Sequence, residues 1–162
     1  MPKLYCFGEV LWDLFPSGAK PGGAPMNVAI HGQNLGLESA VISAIGRDEY
    51  GQKLLDILNE RSVSTALITI SEHPTGTVTV DTSNPSEVSY TIDEPSAWDY
   101  IGIPLIHWEH GDMLLHGSLA TRNNCSYESL KALRTQATTR VFDLNLRAPF
   151  IDSERILELL MG

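Results

Sequence analysis

The sequence predicts an α/β fold in which a mostly parallel, doubly wound sheet is accompanied by a small antiparallel layer. Short apolar runs alternate with helical patterns, which is typical of strands that are buried on both faces of a parallel sheet. Between residues 76 and 92 the pattern changes to alternating polar and apolar residues, which indicates an antiparallel hairpin with one solvent-exposed face. With 162 residues, the chain is long enough for one buried core and too short for two ordinary domains.

The first predicted unit is a strand, a glycine-rich turn and a helix. Residues Leu4–Leu11 form a nearly continuous apolar run that ends at Trp12 and Asp13. We therefore expect a carboxylate at the end of a buried strand. Turn-forming residues occupy 16–23, and the helical pattern that follows can be closed by Gly36 just beyond its last turn.

The next predicted elements alternate in the same way. Strands are predicted at Ala40–Ile45 and Ala66–Ile70, with a helical pattern over 54–58 between them. The hairpin follows, with one strand at Gly76–Thr82 and the other at Glu87–Ile92.

The last third of the chain contains two more predicted strands, Met113–Gly117 and Arg140–Leu146, separated by a helix over about 127–137. Ser153 can cap a final amphipathic helix. The apolar stripe of this helix is still continuing at residues 161–162, and no strand follows it. We therefore expect an architecture that is truncated at its C-terminal side.

Composition disfavours several classes of function. The 11 Lys and Arg residues against 20 Asp and Glu give a formal net charge of −9, which repels nucleic acid and anionic membrane surfaces. The two cysteines, Cys6 and Cys125, have no CxxC spacing and favour a reducing, cytoplasmic location. The N-terminus has no signal-peptide pattern and no apolar span of about 20 residues, so neither export nor membrane insertion is expected.

Ligands of open α/β sheets bind outside the carboxyl ends of the strands. Three groups of residues are expected at this edge, and two of them lie in the first 30 residues. Asp13 can accept hydrogen bonds from ligand hydroxyls or, alternatively, cap a turn or a helix. In the segment 22–27, Gly22 and Gly23 allow a ligand to approach the backbone, and Asn27 can both donate and accept hydrogen bonds. The same glycines also fit a simple turn, and the segment matches neither the dinucleotide fingerprint nor the P-loop.

A third group follows the last predicted strand. Alternation along the strand places Asp143 and Asn145 on one face, and Arg147 emerges near the same edge. Its guanidinium can pair with a phosphate or a carboxylate, or it can form a salt bridge with Asp143. The pair His107 and His110 has no third partner at metal-binding spacing, so we expect a loop there and no metal site.

Four segments, taken in order, resemble the ribokinase-like (PfkB) family of carbohydrate kinases, and most of all its bacterial fructokinases. The segments are Gly8–Asp13, Gly22–Ala29, Gly46–Gly51 and Phe142–Arg147. The resemblance extends over essentially the whole chain. It implies a ribokinase-like doubly wound domain with a small β lid, including about residues 76–92, that covers a sugar.

The resemblance also implies roles for individual residues. The residues that would hold sugar hydroxyls are Asp13, Gly22, Gly23 and Asn27. The residues that would lie near the acceptor site and the incoming phosphate are Asn145 and Arg147. The family further implies ATP and Mg²⁺ as cofactors, a small-molecule sugar as the partner, and association of two copies through the lid.

The family's downstream motif G-A-G-D, whose Asp is the base and whose backbone forms an anion hole, does not occur in this sequence. The segment Asn84-Pro85-Ser86-Glu87 matches the family's N-x-x-E motif, but it lies upstream of the D-x-N-x-R strand at the predicted hairpin tip and therefore predicts a turn. The resemblance thus implies that residues 1–162 are the amino-terminal part of one sugar-kinase domain. We expect this part to lack the ATP site and the catalytic base, and to be inactive alone.

Other functions remain open at this point. A 2-keto-3-deoxygluconate kinase would use Arg147 to bind the substrate carboxylate, whereas a nucleoside kinase would need a base pocket that the sequence does not identify. A non-catalytic sugar-binding module is a further alternative. A nicotinamide-dependent oxidoreductase shares the α/β pattern but would need the glycine fingerprint.

Overall fold

The computed structural model describes residues 1–84 and 87–162, which form two sheets and their helices. In chain order the elements are β1 (Lys3–Phe7), β2 (Leu11–Phe15), β3 (Gly18–Gly22), α1 (Ala24–Asn34), β4 (Glu38–Gly46), α2 (Glu49–Glu60), β5 (Ile68–Ser71), β6 (Gly76–Asn84), β7 (Glu87–Ile92), β8 (Met113–Gly117), α3 (Asn124–Gln136), β9 (Thr139–Asp143) and α4 (Ser153–Met161). The first sheet has the order β5-β4-β1-β8-β9 and is parallel throughout. The second has the order β3-β2-β6-β7.

The predicted α/β class with a mostly parallel sheet and a separate smaller layer is confirmed. The smaller layer is mixed, however, because β2 runs parallel to β6 while the β2–β3 and β6–β7 pairs are antiparallel. The predicted tip of the β6–β7 hairpin, the turn at Asn84-Pro85-Ser86-Glu87, lies partly outside the described residues.

The core occupies both faces of the parallel sheet, as the unbroken apolar runs predicted. Successive strand residues point to opposite faces. Phe7 and Ile42 are fully buried in the cluster that includes α3, while Cys6 and Val41 are fully buried against α1 and α2. Two buried faces explain why the strands show no alternation of polar and apolar residues.

The predicted strand Leu4–Leu11 is wrong in its second half. Gly8 has φ +142°, a conformation that residues with a side chain rarely adopt, and a Cβ there would lie 2.8 Å from Pro25 Cγ. The chain therefore leaves the parallel sheet at Gly8 and enters the second sheet as β2. The predicted turn over 16–23 likewise contains β3, which pairs with β2.

Two boundaries near the C-terminus also differ from the prediction. β9 ends at Asp143, not at Leu146, because the Asp143 carboxylate accepts a hydrogen bond from the backbone N–H of Asn145 at 3.2 Å, and Asn145 has φ +27°. The cap of α4 is Asp152, not Ser153, and its Oδ1 accepts from the first free N–H groups of the helix. Asp and Asn are favoured in both settings because their short side chains bond to nearby backbone.

A cluster of hydrogen bonds joins the second sheet to the first. Asp48 caps α2 by accepting from Gly51 N at 2.8 Å, and it also accepts from Thr75 N at 2.8 Å and from Thr75 Oγ1 at 2.7 Å. Burial alone would raise the pKa of Asp48, but these hydrogen bonds outweigh it and hold the pKa below its usual value. The Gly46–Gly51 motif thus fixes the start of β6 on the parallel sheet.

In the described part of the chain, no helix combines the length and the apolar character that a membrane span requires. Cys6 is buried, Cys125 is exposed, and both are free thiols. The cytoplasmic location stays a prediction.

Candidate functional site

A cavity of about 430 Å³ lies between the second sheet and the carboxyl edge of the parallel sheet. Its walls include residues from three of the four segments that carry the family resemblance, namely Glu9, Asp13, Gly23, Asn27, Asn145 and Arg147. Val78, Tyr90 and Ile92 of the second sheet also line it. The structure therefore brings together, around one space, five of the six residues that the sequence predicted for the site.

A larger cavity of about 570 Å³ lies at the opposite, amino edge of the parallel sheet, beside Lys3 and Glu38. None of the predicted site residues lines it. Because open α/β sheets bind their ligands at the carboxyl edge, we assign the candidate site to the smaller cavity.

Asp13 lies in the middle of β2, opposite Lys20 and Val78, and not at the end of a parallel strand as predicted. None of the four described α-helices has Asp13 as its cap, so the helix-cap role considered from the sequence is not found there. Burial raises the pKa of Asp13, and the charge of Arg147 partly offsets this rise. Among the described residues the Asp13 carboxylate has no hydrogen-bond partner, which leaves both of its oxygens available to ligand hydroxyls.

Gly22 is the one predicted residue that does not line the cavity, and it acts on Asp13 instead. A Cβ at position 22 would lie 2.4 Å from Asp13 Oδ2 and 3.1 Å from Leu11 Cδ1. Any side chain at position 22 would therefore displace the carboxylate. The direct contact of Gly22 with a sugar stays a prediction, and the structure gives this glycine a second reason to be here, which is the room it leaves for the Asp13 carboxylate.

Gly23 precedes the first residue of α1 and has φ +110°. A Cβ there would lie 2.3 Å from the carbonyl oxygen of Glu9, so only glycine fits between this carbonyl and the helix. The N–H of Asn27 donates to the Gly23 carbonyl at 3.0 Å. Asn27 is thereby fixed in the first turn of α1, with an exposed side chain at the cavity.

Glu9 is a site residue that the sequence analysis missed. It is only 2% exposed, and its Oε1 accepts a hydrogen bond from Ala24 N at 3.2 Å. Burial raises the pKa of this carboxyl to about 7, and hydrogen bonds from the backbone and the charge of Arg147 oppose the rise. One feature of the sequence could have indicated this role. Glu9 is the lone charged residue in the otherwise apolar run Leu4–Leu11, which was assigned to a single strand.

Asp143 and Arg147 do not form the salt bridge that was considered as an alternative. Asp143 bonds to the Asn145 N–H, as described above, and Arg147 Nη1 donates to the Leu146 carbonyl at 3.3 Å. In the described residues Arg147 has no ion pair and its side chain is exposed. The guanidinium is therefore free to bind an anion in the cavity.

The histidines lie away from this cavity. His116 is fully buried beneath α3, where Arg134 Nη1 donates to its Nε2 at 2.6 Å, and burial lowers its pKa to about 4. The described residues contain no group of three or more His, Cys, Asp or Glu placed to hold a metal ion.

Comparison with known proteins identifies relatives of this arrangement. A model of the "pfkB family carbohydrate kinase" matches residues 15–162. A fructokinase of Vibrio alginolyticus is 31% identical over 159 residues, which cover 91% of this chain and 52% of the relative. The chain thus spans about half the length of this curated relative.

Two solved structures have the same fold. The apo fructokinase of Vibrio cholerae superimposes with a TM-score of 0.88 at 26% identity, covering 99% of this chain and 61% of the other. An uncharacterized sugar kinase of Pyrococcus horikoshii in complex with ATP gives a TM-score of 0.84 at 27% identity, covering 98% and 58%. The five-stranded parallel sheet with its mixed second sheet is therefore the ribokinase-like fold.

Proposed function

Because the chain belongs to the pfkB family of carbohydrate kinases, we propose that it is the sugar-binding part of an ATP-dependent kinase for fructose or a related sugar. The observation that carries the proposal is the convergence of Asp13, Asn27 and Arg147 on one cavity. A free carboxylate, an exposed amide and an unpaired guanidinium are the groups that an alcohol and an incoming phosphoryl group need.

Each group has a distinct role in this proposal. Asp13 accepts hydrogen bonds from sugar hydroxyls, and Asn27 donates to or accepts from a neighbouring hydroxyl. Together they orient the acceptor alcohol, which is the main task of a phosphotransferase protein. Arg147, at the edge of the cavity, stabilises charge on the phosphoryl group. Val78 and Ile92 form an apolar wall that excludes water from the sugar.

The described residues that line the cavity do not fit a nucleotide and its metal. They offer a triphosphate a single cation, Arg147, and the described residues contain no cluster of three metal-ligating side chains. We therefore propose that ATP, Mg²⁺ and the catalytic base belong to the part of the family's proteins that this chain does not match.

Calorimetry with fructose tests the sugar site. Asp13→Ala is expected to cost roughly 1.5–3 kcal/mol, the range for hydrogen bonds to a charged group, which corresponds to an affinity loss of about 10- to 150-fold. Asp56→Ala on the exposed face of α2 is the matched control and should bind as the unsubstituted chain does. Equal affinity of the Asp13 variant would remove Asp13 from the site.

The same measurement separates the alternative substrates. Tighter binding of 2-keto-3-deoxygluconate than of fructose, lost in Arg147→Gln, would favour recognition of a substrate carboxylate. Binding of a nucleoside in preference to both would contradict the proposed sugar class.

We also propose that two copies associate through the second sheet. Its outer strands, β3 and β7, have no partner on one side in the described residues, and unpaired strand edges favour pairing with another chain. Light scattering at micromolar concentration should give the mass of a dimer, and a monomer would contradict this part of the proposal.

A further inference from the structure

The second oxygen of Glu9 is a buried polar atom for which the described residues offer no partner. Glu9 Oε2 has less than 1 Å² of exposed surface and makes no hydrogen bond. Buried carboxyl oxygens are nearly always hydrogen-bonded, and an unsatisfied one costs free energy unless it has a use. The role proposed above for the cavity does not use this atom.

The backbone and the other oxygen of Glu9 position the start of α1. Oε1 accepts from Ala24 N at 3.2 Å, and the Glu9 carbonyl lies so close to Gly23 that no Cβ fits between them. On the other side, Ser43 Oγ donates to the carbonyl of Gly8 at 2.6 Å. Glu9 is thus held rigidly, and through Ala24 it helps to hold the helical turn that carries Asn27.

The charged groups that face Glu9 come from the neighbouring elements of the cavity. The segment at the end of β9 contributes Asp143, which raises the pKa of Glu9, and Arg147, which lowers it. β2 contributes the Asp13 carboxylate, and β7 contributes the Tyr90 phenol to the same cavity. Arg147 is the one cation among the described residues of the cavity wall, so every acid there competes for it with an anionic ligand.

We propose that Glu9 is a positioning residue of this cavity: one carboxyl oxygen holds the start of α1, and the other, as a hydroxyl, leaves Arg147 free for an anion. When the carboxyl ionises, its free oxygen attracts Arg147 and the site loses affinity for the anion. The inference rests on the role proposed above for Arg147 in binding the phosphoryl group.

The size of the effect follows from the protonated fraction of Glu9. With a pKa of about 7, that fraction falls about tenfold between pH 6 and pH 8. If only the neutral form leaves Arg147 available, the apparent affinity for an anion falls by the same factor. Sulfate is the suitable probe, because its charge does not change in this range.

Sulfate titrations followed by NMR at pH 6, 7 and 8 test the inference. The unsubstituted chain is expected to lose about tenfold in affinity across the range. Glu9→Gln, which cannot ionise, should bind equally at all three values and as tightly as the unsubstituted chain at pH 6. Glu38→Gln, at the opposite edge of the parallel sheet, is the control and should keep the pH dependence of the unsubstituted chain.

The outcomes separate this inference from the proposed function. Sulfate binding that survives Arg147→Gln, or no binding at all, contradicts the proposed role of Arg147. Binding that depends on Arg147 but does not change with pH overturns the role of Glu9.

A pH titration without sulfate tests the role of Glu9 independently. The NMR resonances of the Ala24 amide and the Arg147 side chain should shift with a midpoint near pH 7 in the unsubstituted chain, and should not shift in Glu9→Gln. Absence of that shift also overturns the inference.

Discussion

Replacing Glu9 by glutamine is expected to change how the free energy of unfolding depends on pH. In the folded chain burial raises the pKa of Glu9 from 4.5 to about 7, so between these values the folded state keeps a proton that the unfolded state has lost. The contribution of Glu9 to the free energy of unfolding is therefore largest below pH 4.5 and is lost as the pH rises to about 7. The difference between the two pKa values corresponds to a loss of roughly 3 kcal/mol.

His116 acts in the opposite direction over much of the same range. Burial lowers its pKa from 6.5 to about 4, so the unfolded state binds a proton that the folded state does not. Stability from this group rises with pH between those values, also by roughly 3 kcal/mol. In the unsubstituted chain the two effects nearly cancel between pH 4.5 and 6.5. In Glu9→Gln only the rise from His116 remains.

Urea unfolding at pH 4.5, 5.5, 6.5 and 7.5 measures both chains under matched conditions. The free energy of unfolding of the unsubstituted chain, minus that of Glu9→Gln, should fall by roughly 3 kcal/mol across the series. Glu60→Gln at the exposed end of α2 is the control and should give a difference that does not depend on pH. A constant difference for Glu9→Gln would refute the buried, protonated state on which the reasoning depends.

Three further predictions concern packing and activity. Gly76→Ala should destabilise the chain by roughly 1–3 kcal/mol in urea unfolding, because a Cβ at position 76 would lie 2.2 Å from Trp98 Nε1. Gly102→Ala is the control and should have little effect, because no atom of the described residues would lie within 4 Å of its Cβ. Equal losses in the two variants would contradict the packing argument. Thr75→Val should lower the free energy of unfolding by roughly 1–3 kcal/mol in the same measurement. The substitution removes the hydroxyl that accepts from Gly46 N and donates to Asp48 Oδ1. An unchanged free energy of unfolding would mean that water replaces the hydroxyl. The chain alone should show no useful sugar-dependent ATP consumption in a coupled assay, because we expect it to lack the general base, which typically contributes about 10²–10⁴ in rate. The control is a chain extended to the length of its relatives. If the shorter chain approached the turnover of the longer one, the catalytic groups would lie within residues 1–162.

The parts of the fold that the sequence predicted are those in which a local pattern and the tertiary environment agree. The predicted strand Met113–Gly117 has the observed bounds, and Ala40–Ile45 lies inside β4, because strands buried on both faces need apolar residues at every position. The hairpin strands were found because one face is exposed and the pattern alternates. In these cases each residue's environment follows from its immediate neighbours.

The second sheet was only half predicted because β3 carries no such pattern. Its sequence, Gly18-Ala19-Lys20-Pro21-Gly22, is exposed at four of its five positions and pairs with β2 through the backbone. Nothing in those side chains distinguishes an edge strand from a turn, since glycine and proline are typical of turns. The register that places Asp13 opposite Lys20 is set by tertiary pairing and could not be inferred from the local sequence.

The error at Gly8 and the omission of Glu9 have one physical cause, and it is also what creates the site. Apart from Glu9, the run around Gly8 is apolar because both sheets bury their strands there, so composition does not show that the chain passes from one sheet to the other. At that passage the positive φ of Gly8 turns the chain against Pro25. The turn places Glu9 beneath the start of α1 and carries Asp13 to the other side of the cavity. A continuous strand would have left the Asp13 carboxylate at the edge of the parallel sheet, with no second sheet to form the opposite wall. The three-residue crossing between β1 and β2 therefore determines both the position of the candidate sugar-binding carboxylate and the burial of the acid that we infer to control Arg147.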